Sequence, residues 1–204
     1  TFFWHSVQAL IQHPRMAITA REARPFDPRE PFSRADARAA GIGLKTLLSS
    51  RFQKIFYDCY VSSAVPLTTR IRAKAALGIS PPGSFLSHST AARIWGGIIP
   101  NAPDVHVTVP GTAGRSSRQG AKAHAAAEGT AITLFRNLPI TTPQQTFLDL
   151  APSLNLVALV VLGDSLVKAG RTSAAALRDA ALEPERFDGC AVQRPIASAA
   201  SRSY

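Results

Sequence analysis

The sequence predicts an α+β protein: a small helix–helix–ribbon segment, then a mixed α/β domain that ends in helices. Two capped helical stretches at residues 33–52 precede an aromatic and β-branched ribbon, QKIFYDCYV. The stretch DVHVTVP alternates apolar and polar residues, which is typical of a half-buried strand. Helical patterns then close the ordered region before residue 181, and we find no internal repeat.

Capping signals define the first two helices. Ser33 stands at an N-cap position with Asp36 three residues later, the spacing of a capping box. Gly41 follows where a left-handed residue commonly ends a helix. The next stretch, LKTLLSSRF, predicts a second short helix whose leucines share one face, namely Leu44, Leu47 and Leu48.

The order helix, tight turn, helix and ribbon is that of a small winged helix, which we place at residues 26–64. The ribbon is expected to turn near Tyr57 and Asp58. A complete winged helix needs a further helix upstream, within residues 1–20. The stretch REARPFDPREPF is rich in proline and charge and is predicted to be a linker.

The second domain is predicted to span residues 65–180. Thr68 or Thr69 caps a helix in TTRIRAKAALGI, and Thr142, with Pro143 at the first position and Gln145 completing the box, starts another. The segment GTAGRSSRQGAK is predicted to be a flexible basic loop between strands. The apolar run in NLVALVVLGDSLVKAG predicts a buried helix, about half as long as a membrane span requires.

The stretch LSHSTAARIWG raises the question of catalysis, because Ser87 and His88 could form a nucleophile–base pair. Adjacent residues seldom reach that geometry, and no GxSxG motif is present. The favoured interpretation is structural: Ser89 or Thr90 caps a helix, Trp95 packs in the core and Gly96 ends the helix.

No motif in the sequence predicts a metal, a cofactor or a catalytic residue. His88, His106 and His124 are too far apart for a local ligand motif, and Cys59 and Cys190 form no CxxC pair. Asp149 and Asp164 lie on separate helices among apolar residues, so helix-end or salt-bridge roles are expected rather than a two-metal centre. The scarcity of cysteine suits a reducing cytoplasm.

The charge distribution points to a polyanion partner. The chain has a formal net charge of +10, and residues 33–74 hold eight basic residues against two acids. In a winged helix the second helix enters the major groove while flanking cations contact phosphates. A solvated basic face without a partner is the alternative. The residues predicted to contact DNA are Ser33, Arg34, Lys45, Thr46, Ser49, Ser50, Arg51 and Lys54.

Residues 31–180 resemble the AbiEi-like antitoxins of bacterial type IV toxin–antitoxin systems. The matching positions in the first segment are Ala35, Gly41, Leu47 and Tyr60, and the blocks LSHSTAARIWG, DVHVTVP and NLPITTPQQTFLDLA resemble the domain that follows. In that domain His88, Trp95, Thr142, Pro143 and Asp149 form a structural signature.

The resemblance implies a non-enzymatic, cytoplasmic autorepressor that binds the operator of its own operon. Its implied partner is a nucleotidyltransferase-like toxin, countered without a stable complex, and no membrane or cofactor is involved. Related chains often carry a Vsr-like endonuclease domain, for which this sequence shows no match. A truncated relative or accessory part of such an endonuclease is the alternative, and a protein-interaction module is a third.

The sequence leaves two alternatives each for the N-terminal and the C-terminal region. Residues 1–25 are an uncertain extension: either translation begins at Met16, the only methionine, or the first residues form a short packed helix. Residues 181–204 have no periodicity, and they are either native or out of frame. An acidic membrane surface stays open as a partner of the basic charge, although we find no amphipathic helix with a basic polar face.

Overall fold

The structure, a computed structural model, describes residues 25–111 and 119–182 and confirms the α+β class, with helices at the C-terminal end. The predictions made for residues 1–24 and for the tail from residue 183 lie outside the described residues. These include the upstream helix and the alternatives for the start and end of the chain. Most of the predicted basic loop, residues 112–118, lies outside them too.

The N-terminal unit has the predicted element order, with one additional short strand. It consists of β1 (Phe32–Ser33), α1 (Arg34–Ala39), α2 (Leu44–Leu47), β2 (Phe52–Phe56) and β3 (Cys59–Ser62). The strands form an antiparallel sheet in the order β1-β3-β2. Ser33 and Asp36 form the predicted capping box, Gly41 has a φ of 76°, and Asp58 turns the ribbon with a φ of 57°.

The second helix of this unit is shorter than the sequence predicts. Only Leu47 is buried, whereas Leu44 and Leu48 are 54% and 64% exposed, so the prediction of one shared apolar face is wrong. The helix ends after a single turn, and the small core accepts only one of the three leucines. That core consists of Phe32, Ala37, Leu47 and Tyr60.

The remaining elements build a five-stranded sheet with helices packed on it. They are α3 (Thr69–Gly78), β4 (Phe85–Leu86), α4 (His88–Trp95), β5 (Val105–Val109), β6 (Ala121–Ala125), β7 (Ile132–Phe135), β8 (Leu138–Thr141), α5 (Pro143–Leu150), α6 (Leu156–Lys168) and α7 (Ala174–Leu182). The strand order is β6-β5-β4-β8-β7, in which β5 runs parallel to β6 and β4 parallel to β8.

The sequence does not predict strand β6: its first two residues fall in the predicted loop, and residues 123–125 carry no assignment. Its sequence, AKAHA, has no β-branched or aromatic residue, and alanine is depleted in strands. All five of its residues nevertheless pair with β5, from Val105 opposite Ala121 to Val109 opposite Ala125. Pairing with a strongly β-forming neighbour therefore decides the conformation of this segment.

The main core lies between this sheet and its helices and extends into the ribbon of the N-terminal unit. Trp95 is 6% exposed, and its indole Nε1 donates a hydrogen bond to the Thr141 carbonyl oxygen over 2.9 Å. Phe56 and Cys59 of the ribbon belong to this same core. Burial raises the pKa of the Cys59 thiol to about 11. The predicted boundary at residues 64–65 therefore does not separate two independent cores.

Helix α6 is only half-buried, which corrects the prediction of a buried helix. Leu162 and Leu166 are fully buried, while Leu156, Val157 and Val160 are 65%, 73% and 52% exposed. The helix packs on one side only, so its other side presents an apolar stripe. None of the helices in residues 25–111 and 119–182 combines the length and the apolar character that a bilayer crossing demands.

Gly97, which follows the C-cap of α4, lies so close to Leu162 and Ala92 that a larger residue would clash with them. A Cβ at Gly97 would lie 2.8 Å from Leu162 Cδ1 and 3.0 Å from the Ala92 carbonyl oxygen. We expect Gly97→Ala to lower the free energy of unfolding by about 1–3 kcal/mol, because backbone and buried leucine must both shift. Urea denaturation measures this. Gly78→Ala is the matched control, since nothing lies within 4 Å of its new Cβ. An unchanged midpoint for Gly97→Ala would contradict the close contact of residue 97 with Leu162 and Ala92.

Candidate functional site

The fold brings three histidines together that are far apart in sequence. His88 is the first residue of α4, His106 lies on β5 and His124 on β6. In the parallel pairing of these strands, His106 is opposite Lys122 and Thr108 is opposite His124. Side chains alternate across a sheet, so the two pairs share one face. This face is opposite to the one that carries the buried valines of β5. We call His88, His106 and His124 the histidine cluster.

The rings of the histidine cluster are in direct contact. His124 Nε2 and His106 Nδ1 are 3.0 Å apart, within hydrogen-bond distance. The rings of His88 and His124 stack with centroids 3.8 Å apart and an interplanar angle of 13°. One nitrogen of each residue lies within 4.8 Å of the other two. Three imidazole nitrogens are therefore gathered within a few ångströms of one another.

His88 is held by contacts to both its side chain and its backbone. Its Nδ1 lies 3.0 Å from Ser87 Oγ, and that hydroxyl accepts a hydrogen bond from Thr108 Oγ1 over 2.7 Å. The Asp149 carboxylate accepts hydrogen bonds from the His88 backbone N–H and, over 2.8 Å, from Gln145 Nε2. His88 has a φ of 47°, a strained value for a residue with a Cβ. These contacts from β5 and α5 hold it there.

Burial and mutual repulsion keep the histidine cluster neutral. The pKa of His88 is lowered to about 3 and that of His124 to about 4, by desolvation first and then by the neighbouring histidines and Lys122. The pKa of His106 is lowered by burial and then by Lys122, against an opposing effect of Asp104. Desolvation raises the pKa of Asp149 to about 6, although its hydrogen bonds oppose this.

These shifts predict that the protein loses stability as the pH falls from about 6.5 to about 4. Between the folded and unfolded pKa values of the histidines the unfolded chain binds more protons, so acid favours unfolding. Protonation of Asp149 between pH 3.8 and about 6 favours the folded state instead. Its effect is smaller than the combined effect of His88 and His124, because it is a single group. Unfolding in this interval should take up about one to two protons.

The measurement is the urea midpoint across this pH interval. His88→Gln with His124→Gln should flatten the profile, because glutamine does not titrate. Asp149→Asn should steepen it. A wild-type midpoint that rises on acidification would contradict the prediction.

The N-terminal end of α4 differs from the prediction in its cap. Ser87, and neither Ser89 nor Thr90, occupies the N-cap position, and its side chain makes no capping hydrogen bond. Thr90 Oγ1 instead accepts a hydrogen bond from the His106 backbone N–H over 2.7 Å, and the Ser89 hydroxyl is buried without a partner among residues 25–111 and 119–182. Both hydroxyls face inward, so neither reaches the free N–H groups of the first turn.

Ser87 and His88 do touch, contrary to the expectation for adjacent residues. Ser87 is only 1% exposed and its hydroxyl is already engaged by Thr108, so a substrate carbonyl has no access to it. The pair therefore lacks what nucleophilic catalysis requires.

Trp95, Gly96, Thr142 and Pro143 occupy the positions in the fold that the sequence predicts for them. Trp95 packs in the core and Gly96 ends α4 with a φ of 90°. Thr142 caps α5 with Pro143 in its first turn. Gln145 does not complete the capping box, however. Its Oε1 accepts from the Ala131 backbone N–H, and the Thr142 N–H donates to the Ala131 carbonyl.

The predicted DNA-contacting residues fall into two groups. Ser33 is engaged in the capping box, and Arg34 lies 3.4 Å from Asp58 in an ion pair and 3.5 Å from the Tyr60 hydroxyl. Thr46 and Ser49 are half-buried, and the Ser49 hydroxyl donates to the Thr46 carbonyl. Lys45, Ser50, Arg51 and Lys54 are exposed, as is Arg34 beside its two contacts.

The exposed group continues onto the ribbon and onto α1. Arg38 is exposed in the last turn of α1, and Lys54 on β2 lies 5.5 Å from the centre of the Tyr57 ring. Tyr57 is 70% exposed at the turn of the ribbon. We call Arg38, Lys45, Arg51 and Lys54 the basic surface; its two nearest acids in sequence are Asp36, engaged in the cap, and Asp58, paired with Arg34.

No family profile matches this chain, and no curated protein shows significant similarity to it. The basic surface and the histidine cluster are therefore interpreted from their own chemistry.

Proposed function

We propose that this protein binds double-stranded DNA through the basic surface of its N-terminal unit and acts as an antitoxin-like transcriptional autorepressor. The observation that carries the proposal is the exposure of four cations on α1, α2 and the ribbon, next to acids that are already engaged. A local excess of exposed cations on a small helix–helix–ribbon unit is the electrostatic footprint expected of a nucleic-acid-binding protein.

The contacts divide by their chemistry. Arg51 and Lys54 lie at the start of the ribbon and on it, where they are suited to phosphates, and Arg38 on α1 can reach a flanking phosphate. Lys45 and Ser50 lie on and just after α2, the helix expected to approach base edges. Because α2 has only one turn, few base contacts are available and phosphate contacts should dominate the affinity.

The regulatory part of the proposal rests on the resemblance to AbiEi-like antitoxins. On that basis the DNA is the operator of the protein's own operon, and the partner is a nucleotidyltransferase-like toxin that is countered without a stable complex. No enzymatic step is proposed for this chain. We place its action in the cytoplasm.

The test is a fluorescence-anisotropy titration of the purified chain with a duplex from its own promoter and a scrambled duplex of equal length. We expect tighter binding to the promoter, and a logarithm of the affinity that falls linearly with the logarithm of salt concentration, since phosphate neutralisation releases counterions. Equal affinity for both duplexes would reject the repressor. Absence of binding to either at low salt would reject DNA binding and favour a protein-interaction module.

A further inference from the structure

We infer that His88, His106 and His124 form a binding site for a divalent transition-metal ion, with Zn²⁺ as the ion that fits best. The ligand nitrogens of the three residues lie within 4.8 Å of one another, and they come from three separate elements of the fold. This site is separate from the basic surface, so the inference does not depend on DNA binding.

The distances suit a tetrahedral ion. Zinc holds imidazole nitrogens at about 2.0–2.1 Å, which places two nitrogens on one ion about 3.3–3.4 Å apart. His106 Nδ1 and His124 Nε2 are 3.0 Å apart, so an ion needs them to separate by only a few tenths of an ångström. The stacked rings of His88 and His124 must also rotate about χ2 to aim both lone pairs at the same point.

The proton balance of the site is simple. Of the two facing nitrogens, His106 Nδ1 and His124 Nε2, one carries a proton and donates the hydrogen bond, and the other accepts that hydrogen bond. When an ion replaces this hydrogen bond, that proton moves to the other nitrogen of the same ring, and both rings stay neutral. Metal ions require neutral imidazole ligands, so no net charge has to be removed from the cluster.

The surroundings of His88 provide what a metal-binding histidine usually has around it. With Nδ1 next to the Ser87 hydroxyl, Nε2 is the nitrogen left for an ion. In the tautomer whose Nδ1–H donates to Ser87 Oγ, the Nε2 lone pair is open to an ion, and Thr108 holds the serine in place. Asp149 fixes the backbone of His88 from α5. The backbone position of this ligand is therefore set before an ion arrives, and only its ring has to turn.

The composition of the site selects the class of ion. Three imidazoles without a carboxylate suit zinc, cobalt, nickel and copper, whereas Mg²⁺ and Ca²⁺ prefer oxygen ligands. Three protein ligands leave a fourth position for water or an anion. Lys122 lies opposite His106 in the strand register. Its charge repels the ion and attracts an anion in the fourth position.

The test uses the full chain, expressed without a polyhistidine tag and treated with a chelator. Co²⁺ is titrated in and followed by its visible absorption, and Zn²⁺ is then added as a competitor. We expect one Co²⁺ per chain with the intense bands of a tetrahedral site. In the double variant His106→Gln with His124→Gln, the Co²⁺ affinity should fall by more than roughly 100-fold. Loss of a residue that only hydrogen-bonds to a metal ligand costs about 10- to 100-fold. Circular dichroism checks the fold of each variant.

Two further variants separate a metal site from a structural histidine cluster. His13→Gln removes a histidine distant in sequence and should leave binding unchanged. Lys122→Gln, at an exposed position, should tighten binding several-fold, because it removes a like charge next to the ion. Absence of Co²⁺ and Zn²⁺ uptake by the wild-type chain, or uptake that disappears in His13→Gln and persists without His106 and His124, would overturn the inference.

Discussion

Replacing Lys45 and Arg51 by glutamate is expected to lower the affinity for promoter DNA by roughly 100-fold, since each change removes one contact of about 1–3 kcal/mol. Both side chains are exposed, and neither forms a salt bridge within the described part of the chain. Of the two, Arg51 is placed at a phosphate and Lys45 on the helix expected to approach base edges. The slope of log affinity against log salt should therefore decrease by about one.

The matched control for this variant is Lys168→Glu with Arg178→Glu. Both residues are exposed and lie on or at the end of α6 and α7, and the control changes the net charge by the same amount. If affinity depended on total charge alone, both double variants would weaken binding equally. That result, or an unchanged affinity in Lys45→Glu with Arg51→Glu, would remove the basic surface from the proposed mechanism.

Replacing Trp95 by alanine is expected to lower the free energy of unfolding by about 3–5 kcal/mol, as for other large-to-small changes of buried aromatic residues. The indole is 6% exposed, its ring lies 4.4 Å from that of Phe135, and its Nε1 donates to Thr141. The change leaves a cavity between α4 and the sheet. Urea denaturation at neutral pH measures the loss.

Two companion variants interpret the result for Trp95. Trp95→Phe retains most of the packing and removes the hydrogen bond to the Thr141 carbonyl, so it should cost less than alanine. Leu134→Ala, at a site 62% exposed, should change stability by less than about 0.5 kcal/mol. Equal effects of Trp95→Ala and Leu134→Ala would show that Trp95 does not anchor the core.

The sequence predicted those elements whose signals are local. Ser33 with Asp36, Thr68 and Thr142 act as caps at the predicted places, and the alternation around Val107 identified β5. Caps depend on residues three positions apart, and alternation depends on the next residue but one. Both signals can therefore be read from the sequence without knowledge of the tertiary fold.

The histidine cluster could not be predicted in the same way, because it depends on contacts between distant segments. His106 and His124 meet only when β5 pairs with β6, and the composition of β6 concealed that strand. One signal was present: His124 lies between alanines in an alternating AKAHA pattern, as His106 lies between valines. A search for histidines on matching faces of candidate strands would have paired these two, but not His88.

The half-exposed α6 shows a different limit of sequence reasoning. Its apolar run predicted burial on all sides, yet the structure covers only the side of Leu159, Leu162 and Leu166. Hydrophobicity states what a helix can bury, whereas the number of packed neighbours decides what it does bury. Leu44 on α2 and Leu48 just after it illustrate the same limit, because a small core has room for one leucine of three.

Because Phe56 and Cys59 belong to the main core, the N-terminal unit is not expected to fold when it is separated from the sheet domain. A fragment cut after residue 64 would carry these two side chains into water, and its own core of four residues is too small to compensate. Grafting the unit onto another protein would therefore require the surface beneath the ribbon to be transferred as well.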